Sequence, residues 1–326
     1  MNKVFRKKLS IGVMLLLSIM LILSACTSTA SKTENTTDTS SNVAGANNTT
    51  GDEADTSTSE LKVTTFNPGE KSIFGVSSNL IEGPTEVVLV DAQFQKNDAE
   101  QLVKMIKDTG KKLTTVFISH KDPDYYFGLS VIREAFPDVK IVATPGTVEG
   151  IKETIQVKND YWNPILKENA PTAQIVPDVF DGKQFTVDGQ AVDIIGLDGS
   201  DPSHTFLWIP SIKTVLGGVP VYENVHVWMA DNQTPESRNE WRELLDEITA
   251  LNPERVIPGH YVGTSAGDLS SVTFTRDYIA KFEAEAEKAK DSKELIATME
   301  KAYPDFTNTG DLETSAQVIK GEISWP

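Results

Sequence analysis

The chain has a single cysteine, Cys26, so no intrachain disulfide can form. Histidine is nearly as scarce: His120, His204, His226 and His260 are the only four in 326 residues. Any chemistry that needs imidazole must draw on those four. Basic residues are in deficit, 30 Lys and Arg against 47 Asp and Glu, which gives a formal net charge of −17. Such a surface repels phosphate backbones, so no nucleic-acid partner is expected. One long apolar run is present, Leu9 to Leu23, and it is short for a membrane-spanning helix.

That run follows a basic start, Lys3, Arg6, Lys7 and Lys8, and ends in Leu23-Ser24-Ala25-Cys26. The pattern is that of an export signal over residues 1–25, and its last four residues resemble a bacterial lipobox. The resemblance implies cleavage before Cys26, a diacylglyceryl thioether on its sulfur and a further N-linked chain such as palmitate. Two or more chains anchor stably where one does not, so the bilayer is an expected partner. The expected location is the cell membrane, facing out of the cytoplasm. Lipidation of Cys26 would leave the rest of the chain without thiol chemistry.

From Thr27 to Glu60 the residues are mostly Thr, Ser, Asn, Ala, Gly, Asp and Glu, with Val43 the only large apolar side chain. Such a stretch cannot bury enough surface to offset its ordering entropy and reads as a tether over residues 26–60. Strands are expected at Leu61–Phe66, Ser77–Ile81, Glu86–Asp91, Lys112–Ser119 and Lys140–Thr144. Asp98–Thr109, Tyr125–Phe136 and Pro145–Ile155 have helical spacing. Between Lys158 and Pro177 the periodicity is poor around Tyr161-Trp162-Asn163-Pro164, which reads as a lid or an insertion. Asp188-Gly189 predicts a tight hairpin turn between Gln184–Val187 and Gln190–Ile195. Two further strands, Thr205–Pro210 and Lys213–Gly217, precede an amphipathic helix at Ser237–Leu251 that carries Trp241, Leu244, Leu245 and Ile248. From Asp268 the pattern is helical, with breaks expected near Tyr303-Pro304 and Gly310.

Ser119-His120-Lys121-Asp122-Pro123-Asp124-Tyr125 lies where a strand hands over to a helix. An imidazole and two carboxylates on one such loop can converge on a cation. They can equally make a turn and a helix cap.

The Asp91 strand end, the His120 loop, the strands around residues 190–217, the Trp241 helix and Ile257-Pro258-Gly259-His260 together resemble the metallo-β-lactamase superfamily, over residues 61–263. The resemblance implies a four-layer αβ/βα sandwich, with residues 264–326 as a helical extension. It also implies hydrolysis of a small-molecule substrate by water held on one or two zinc ions. Within the family's H-x-H-x-D-H loop, His120 and Asp124 match, Asp122 replaces one histidine and Tyr125 another. Ser200 stands at a further histidine position, Gly218 where an aspartate bridges the metals, and His260 matches the final histidine. Because the usual two-zinc site uses about five histidines, four in the chain leave two options. Either His120, Asp122, Asp124 and His260 hold one divalent metal, for which manganese or iron competes with zinc, or no metal binds.

Two functions follow. In the first, a metal-dependent hydrolase, Asp122 or Asp124 orients the water or takes its proton, Tyr125 faces a developing oxyanion and His226 approaches the substrate. Asp198, Asp201 or Glu223 would replace missing ligands. In the second, a non-catalytic binding lipoprotein, Trp228 and the Trp162 region supply an aromatic face.

Overall fold

The computed structural model describes residues 60–199, 201 and 204–325. The expected export signal, Cys26 and the tether as far as residue 59 lie outside the described residues.

Six strands form the first sheet in chain order: β1 (Lys62–Phe66), β2 (Ser78–Glu82), β3 (Glu86–Val90), β4 (Lys112–Ile118), β5 (Lys140–Ala143) and β6 (Asp178–Val179). The first three pair antiparallel and the last four parallel. Parallel pairing requires crossovers, and helices supply them. They are α1 (Lys96–Asp108), α2 (Pro123–Tyr126) with α3 (Leu129–Ala135), and α4 (Pro145–Leu166). The second sheet has the order β12-β10-β9-β8-β7, from β7 (Gln184–Val187), β8 (Gln190–Ile195), β9 (Phe206–Ile209), β10 (Thr214–Leu216) and β12 (Arg255–Val256). Between β10 and β12 run β11 (Tyr222–Glu223) and α5 (Pro235–Ala250). β11 pairs in parallel with β13 (His260–Tyr261), which sets Tyr222 opposite His260. Then come α6 (Leu269–Lys288), α7 (Ser292–Ala302) and α8 (Thr309–Ile319).

Strand alternation builds the layers. Val88, Val90 and Phe117 from the first sheet share a core with Leu207, Ile209 and Leu216 from the second. Their neighbours of opposite parity face helices: Val87, Leu89 and Val116 pack with Leu102, Ile106 and Ile132, and Phe206 and Trp208 with Trp241, Leu244 and Leu245. Two sheets face to face with helices outside give the expected four-layer sandwich. The extension joins the same core through Tyr278, Phe282, Leu295, Met299 and Leu312.

Asp188 (φ 45°) and Gly189 (φ 78°) both take the left-handed conformation that a tight hairpin turn needs. The Asp188 carboxylate then accepts from Thr85 N at 2.9 Å and Glu86 N at 3.1 Å, tying the second sheet's turn to the first sheet.

Three expectations are corrected. Tyr125–Phe136 is two helices, broken at Phe127-Gly128. A side chain at Gly128 would overlap the Ala92 carbonyl oxygen and meet the Ala99 Cβ at 2.7 Å, so the chain turns there to let two backbones touch. The helix expected to end at Ile155 instead continues as α4 to Leu166, through the first part of the stretch read as a lid or an insertion, and carries Tyr161, Trp162 and Pro164. Its buried side runs Val148, Ile151, Ile155, Asn159, and the polar Asn159 at the last step hides the period. Gly310 lies inside the first turn of α8 and breaks nothing; the interruptions are residues 289–291 and 303–308.

Candidate functional site

Because β3 and β4 run parallel, their C-terminal ends deliver two loops to one edge of the sandwich. In α/β sheets, ligands bind beyond such strand ends. Asp91 follows β3 with φ 67° and Gln93 follows with φ 71°, a strained backbone that non-glycine residues seldom adopt. The Asp91 carboxylate accepts from Ser119 N at 2.8 Å and Ser119 Oγ at 2.6 Å. Ser119 Oγ in turn accepts from Gly218 N at 2.7 Å, so one buried network ties the loops after β3, β4 and β10. Burial pushes the Asp91 carboxyl up to about 7 against those hydrogen bonds.

Above this network stand two imidazole–carboxylate pairs. His120 Nε2 is 3.3 Å from Asp122 Oδ2, and His260 Nε2 is 3.2 Å from Asp124 Oδ2. The Tyr125 ring touches both imidazoles, with centroids 5.2 Å from His120 and 5.7 Å from His260. It is 1% exposed, and its hydroxyl donates to the Gly218 carbonyl at 3.4 Å. Burial, reinforced by the Asp124 charge, holds that phenol well above its ordinary range. A side chain at Gly218 (φ 71°) would overlap the Thr205 carbonyl oxygen, and one at Gly259 the Gly218 carbonyl.

Sequence reasoning missed Lys158, which α4 brings to the loop. Its Nζ donates to Asp122 Oδ1 at 2.7 Å and to the Lys121 carbonyl at 3.3 Å. Burial disfavours the Asp122 carboxylate, but Lys158 and His120 outweigh it and hold the group well below the usual range. The pair lies 36 residues apart in sequence, and no local pattern announces it.

The remaining candidates scatter. His204 stacks near His120 (6.2 Å) and Trp241 (5.3 Å) at the same edge. The expectation that His226 meets a substrate is corrected: its ring is fully buried among Tyr278, Tyr303 and Phe306 of the extension. Its Nδ1 lies 2.9 Å from the Tyr278 hydroxyl, and Nε2 has no hydrogen-bond partner. Burial lowers that imidazole to about 4. Trp228 donates to Asp231 Oδ2 at 2.8 Å and packs on Trp325 at 5.0 Å, which keeps it off the His260 cavity described below. Glu223, a proposed replacement ligand, is taken by Ser265 Oγ at 2.5 Å and Ala266 N at 3.0 Å. Asp198 is exposed beside Lys183 at 3.4 Å.

A cavity of about 280 Å³ adjoins His260. Its walls include Phe74 and Gly75 from the β1–β2 connection, Tyr222 and His260 from the β11/β13 ladder, and Asn308 and Asp311 from the extension.

The model of the metallo-beta-lactamase superfamily matches residues 73–260, more than half of the chain and the whole span from the β1–β2 connection to His260. The chain belongs to the metallo-beta-lactamase superfamily. Among solved structures it is similar to a metallo-beta-lactamase family protein from Thermus thermophilus, with 16% identity, 80% of this chain and 91% of that one covered, and a TM-score of 0.58. A metallo-beta-lactamase from Pontibacter korlensis matches with 16% identity over 68% of this chain and 99% of that one, at a TM-score of 0.45. No curated protein sequence matches.

Superfamily membership suggests a divalent metal such as zinc, and the residues present can be tested against it. A cation needs converging lone pairs. Here the Asp122 carboxylate already carries the Lys158 ammonium, a fixed positive charge where a metal would be ligated. The Tyr125 ring packs against both imidazoles. Gly218 offers only its carbonyl as an acceptor, and the Tyr125 hydroxyl donates to it. Among the described residues no group of three or more His, Cys, Asp and Glu side chains is placed to hold a metal. The expected set of His120, Asp122, Asp124 and His260 is thus divided into two pairs, and as arranged it does not fit the ion.

Proposed function

We propose that this protein is a lipid-anchored member of the superfamily that binds a small molecule and has given its metal positions over to its own side chains. One observation supports the reading: the expected ligands are engaged by the chain's own side chains, Asp122 by Lys158 at 2.7 Å and both imidazoles by the Tyr125 ring. Tyr125 is buried and Lys158 nearly so, the first packed against both imidazoles and the second bonded to Asp122 without an ion. Asp124 and Tyr125 then act as positioning groups that hold His260 at the cavity, while Asp122 holds His120. The anchor rests on Leu23-Ser24-Ala25-Cys26, and Cys26→Ala should release the protein from the membrane fraction.

Elemental analysis of the full chain, purified without chelator and then offered zinc, manganese and iron, tests the reading. Less than a tenth of an equivalent is expected. About one equivalent, lost in both His120→Ala and Asp124→Ala, would replace it with the superfamily's metal-dependent hydrolase.

A further inference from the structure

The cavity beside His260 is closed on three sides by parts of the chain far apart in sequence. The β1–β2 connection supplies Phe74 and Glu70, the β11/β13 ladder supplies Tyr222 and His260, and the extension supplies Asn308 and Asp311. Its rim is fixed. Thr307 Oγ1 donates to Glu70 Oε1 at 3.2 Å, joining the extension to the β1–β2 connection. Asn308 is pinned to the backbone of residue 226 by two hydrogen bonds, from His226 N at 2.7 Å and to the His226 carbonyl at 2.8 Å.

The lining is of one sign. Asp311 accepts from Asn308 Nδ2 at 2.7 Å and makes no salt bridge among the described residues, and Glu70 stands at the rim. No lysine or arginine lines the space, and behind its one imidazole lies the Asp124 carboxylate at 3.2 Å. In the same lining, Tyr222 and His260 stack with centroids 5.1 Å apart and a 19° interplanar angle, with Phe74, Val225 and Val262 nearby. Carboxylates and aromatic rings in one lining attract a positive charge on an apolar body. An anion would meet the like charges of Asp311 and Glu70 in the lining. The volume, about 280 Å³, lies at the small end for ligand pockets.

We propose that this cavity binds a small organic cation, an alkyl- or arylammonium whose charged head meets Asp311 and whose body lies against Tyr222 and Phe74. The assignment rests on the reading of the chain as a binding protein without a metal, and it names the class of ligand for that same site.

Isothermal titration of the full chain in detergent with benzylamine, and with benzoate as its anionic counterpart, tests the proposal. Benzylamine should bind and benzoate should not. Asp311→Asn keeps an acceptor for Asn308, and it should weaken benzylamine by at least about tenfold while the unfolding midpoint stays in place. Tyr222→Leu should weaken it less, through the lost ring face. No benzylamine binding, equal binding of benzoate, or an affinity that Asp311→Asn leaves unchanged would overturn the ligand assignment. The metal content of the same preparation is read separately. A stoichiometric metal sinks the proposed function whatever the amine does, whereas failure of the amine in a metal-free preparation sinks only the ligand class.

Discussion

His260 and His226 live by different rules. His260 faces a carboxylate at 3.2 Å and a cavity, while His226 meets the Tyr278 hydroxyl at 2.9 Å and the rings of Tyr278, Tyr303 and Phe306. The same side chain stands beside a carboxylate in the first setting and is held by packing in the second. An imidazole in an aromatic box is a core residue, and its position beside a tryptophan-bearing loop in the sequence says nothing of that.

The comparison breaks most visibly if the box is emptied. Tyr278→Ala removes a fully buried ring that packs on His226, Phe274, Phe282 and Tyr303, and should cost about 3–5 kcal/mol in chemical denaturation. A loss under about 1 kcal/mol would mean that the extension is not part of the cooperative core.

Acid should separate the two histidines next. His226 stays neutral in the fold down to about 4, whereas in the unfolded chain it takes its proton near its ordinary value of 6.5. Its stabilising share is therefore full above pH 6.5 and falls away as the pH drops toward 4, by at most about 3 kcal/mol. The difference between the wild type and His226→Gln across that window isolates this share. Parallel curves would show that the ring is not held neutral.

Lys158→Met sharpens the other side. It leaves Asp122 with His120 as its remaining partner and should cost about 1–2 kcal/mol, since Lys158 and Asp122 retain some contact with water. The Asp122 carboxyl should move up, read by carboxylate NMR. A smaller step pairs Lys158→Met with Tyr125→His, which should raise zinc affinity by about tenfold or more in competition with a chelator, an increase that His260→Ala removes. If zinc binding does not change, Lys158 and Tyr125 are not what keeps an ion out.

Most of the scaffold was legible because it rests on local signals. Val87-Val88-Leu89-Val90 reads as a buried strand, Asp188-Gly189 as the turn of a hairpin, and the Trp241 stripe as a helix, and each forms where expected. What failed depends on distance. Lys158 reaches Asp122 only because α4 runs on past Asn159, whose amide turns back to the Ile155 carbonyl at 2.7 Å on the core-facing side. Asp311 enters the cavity only because the extension folds onto β11 and β13. The loop of His120, Asp122 and Asp124 was found, but whether its donors converge or pair off depends on a lysine 36 residues away and on a tyrosine read as facing an oxyanion.

Gly218 sets the direction in which this site can change. Its backbone sits so close to the Thr205 carbonyl oxygen that any side chain introduced there by a single substitution would collide with main chain. The Thr205 loop would have to retreat before an acidic side chain fitted. The walls of the cavity can be altered one residue at a time, whereas position 218 can change only together with the backbone that faces it.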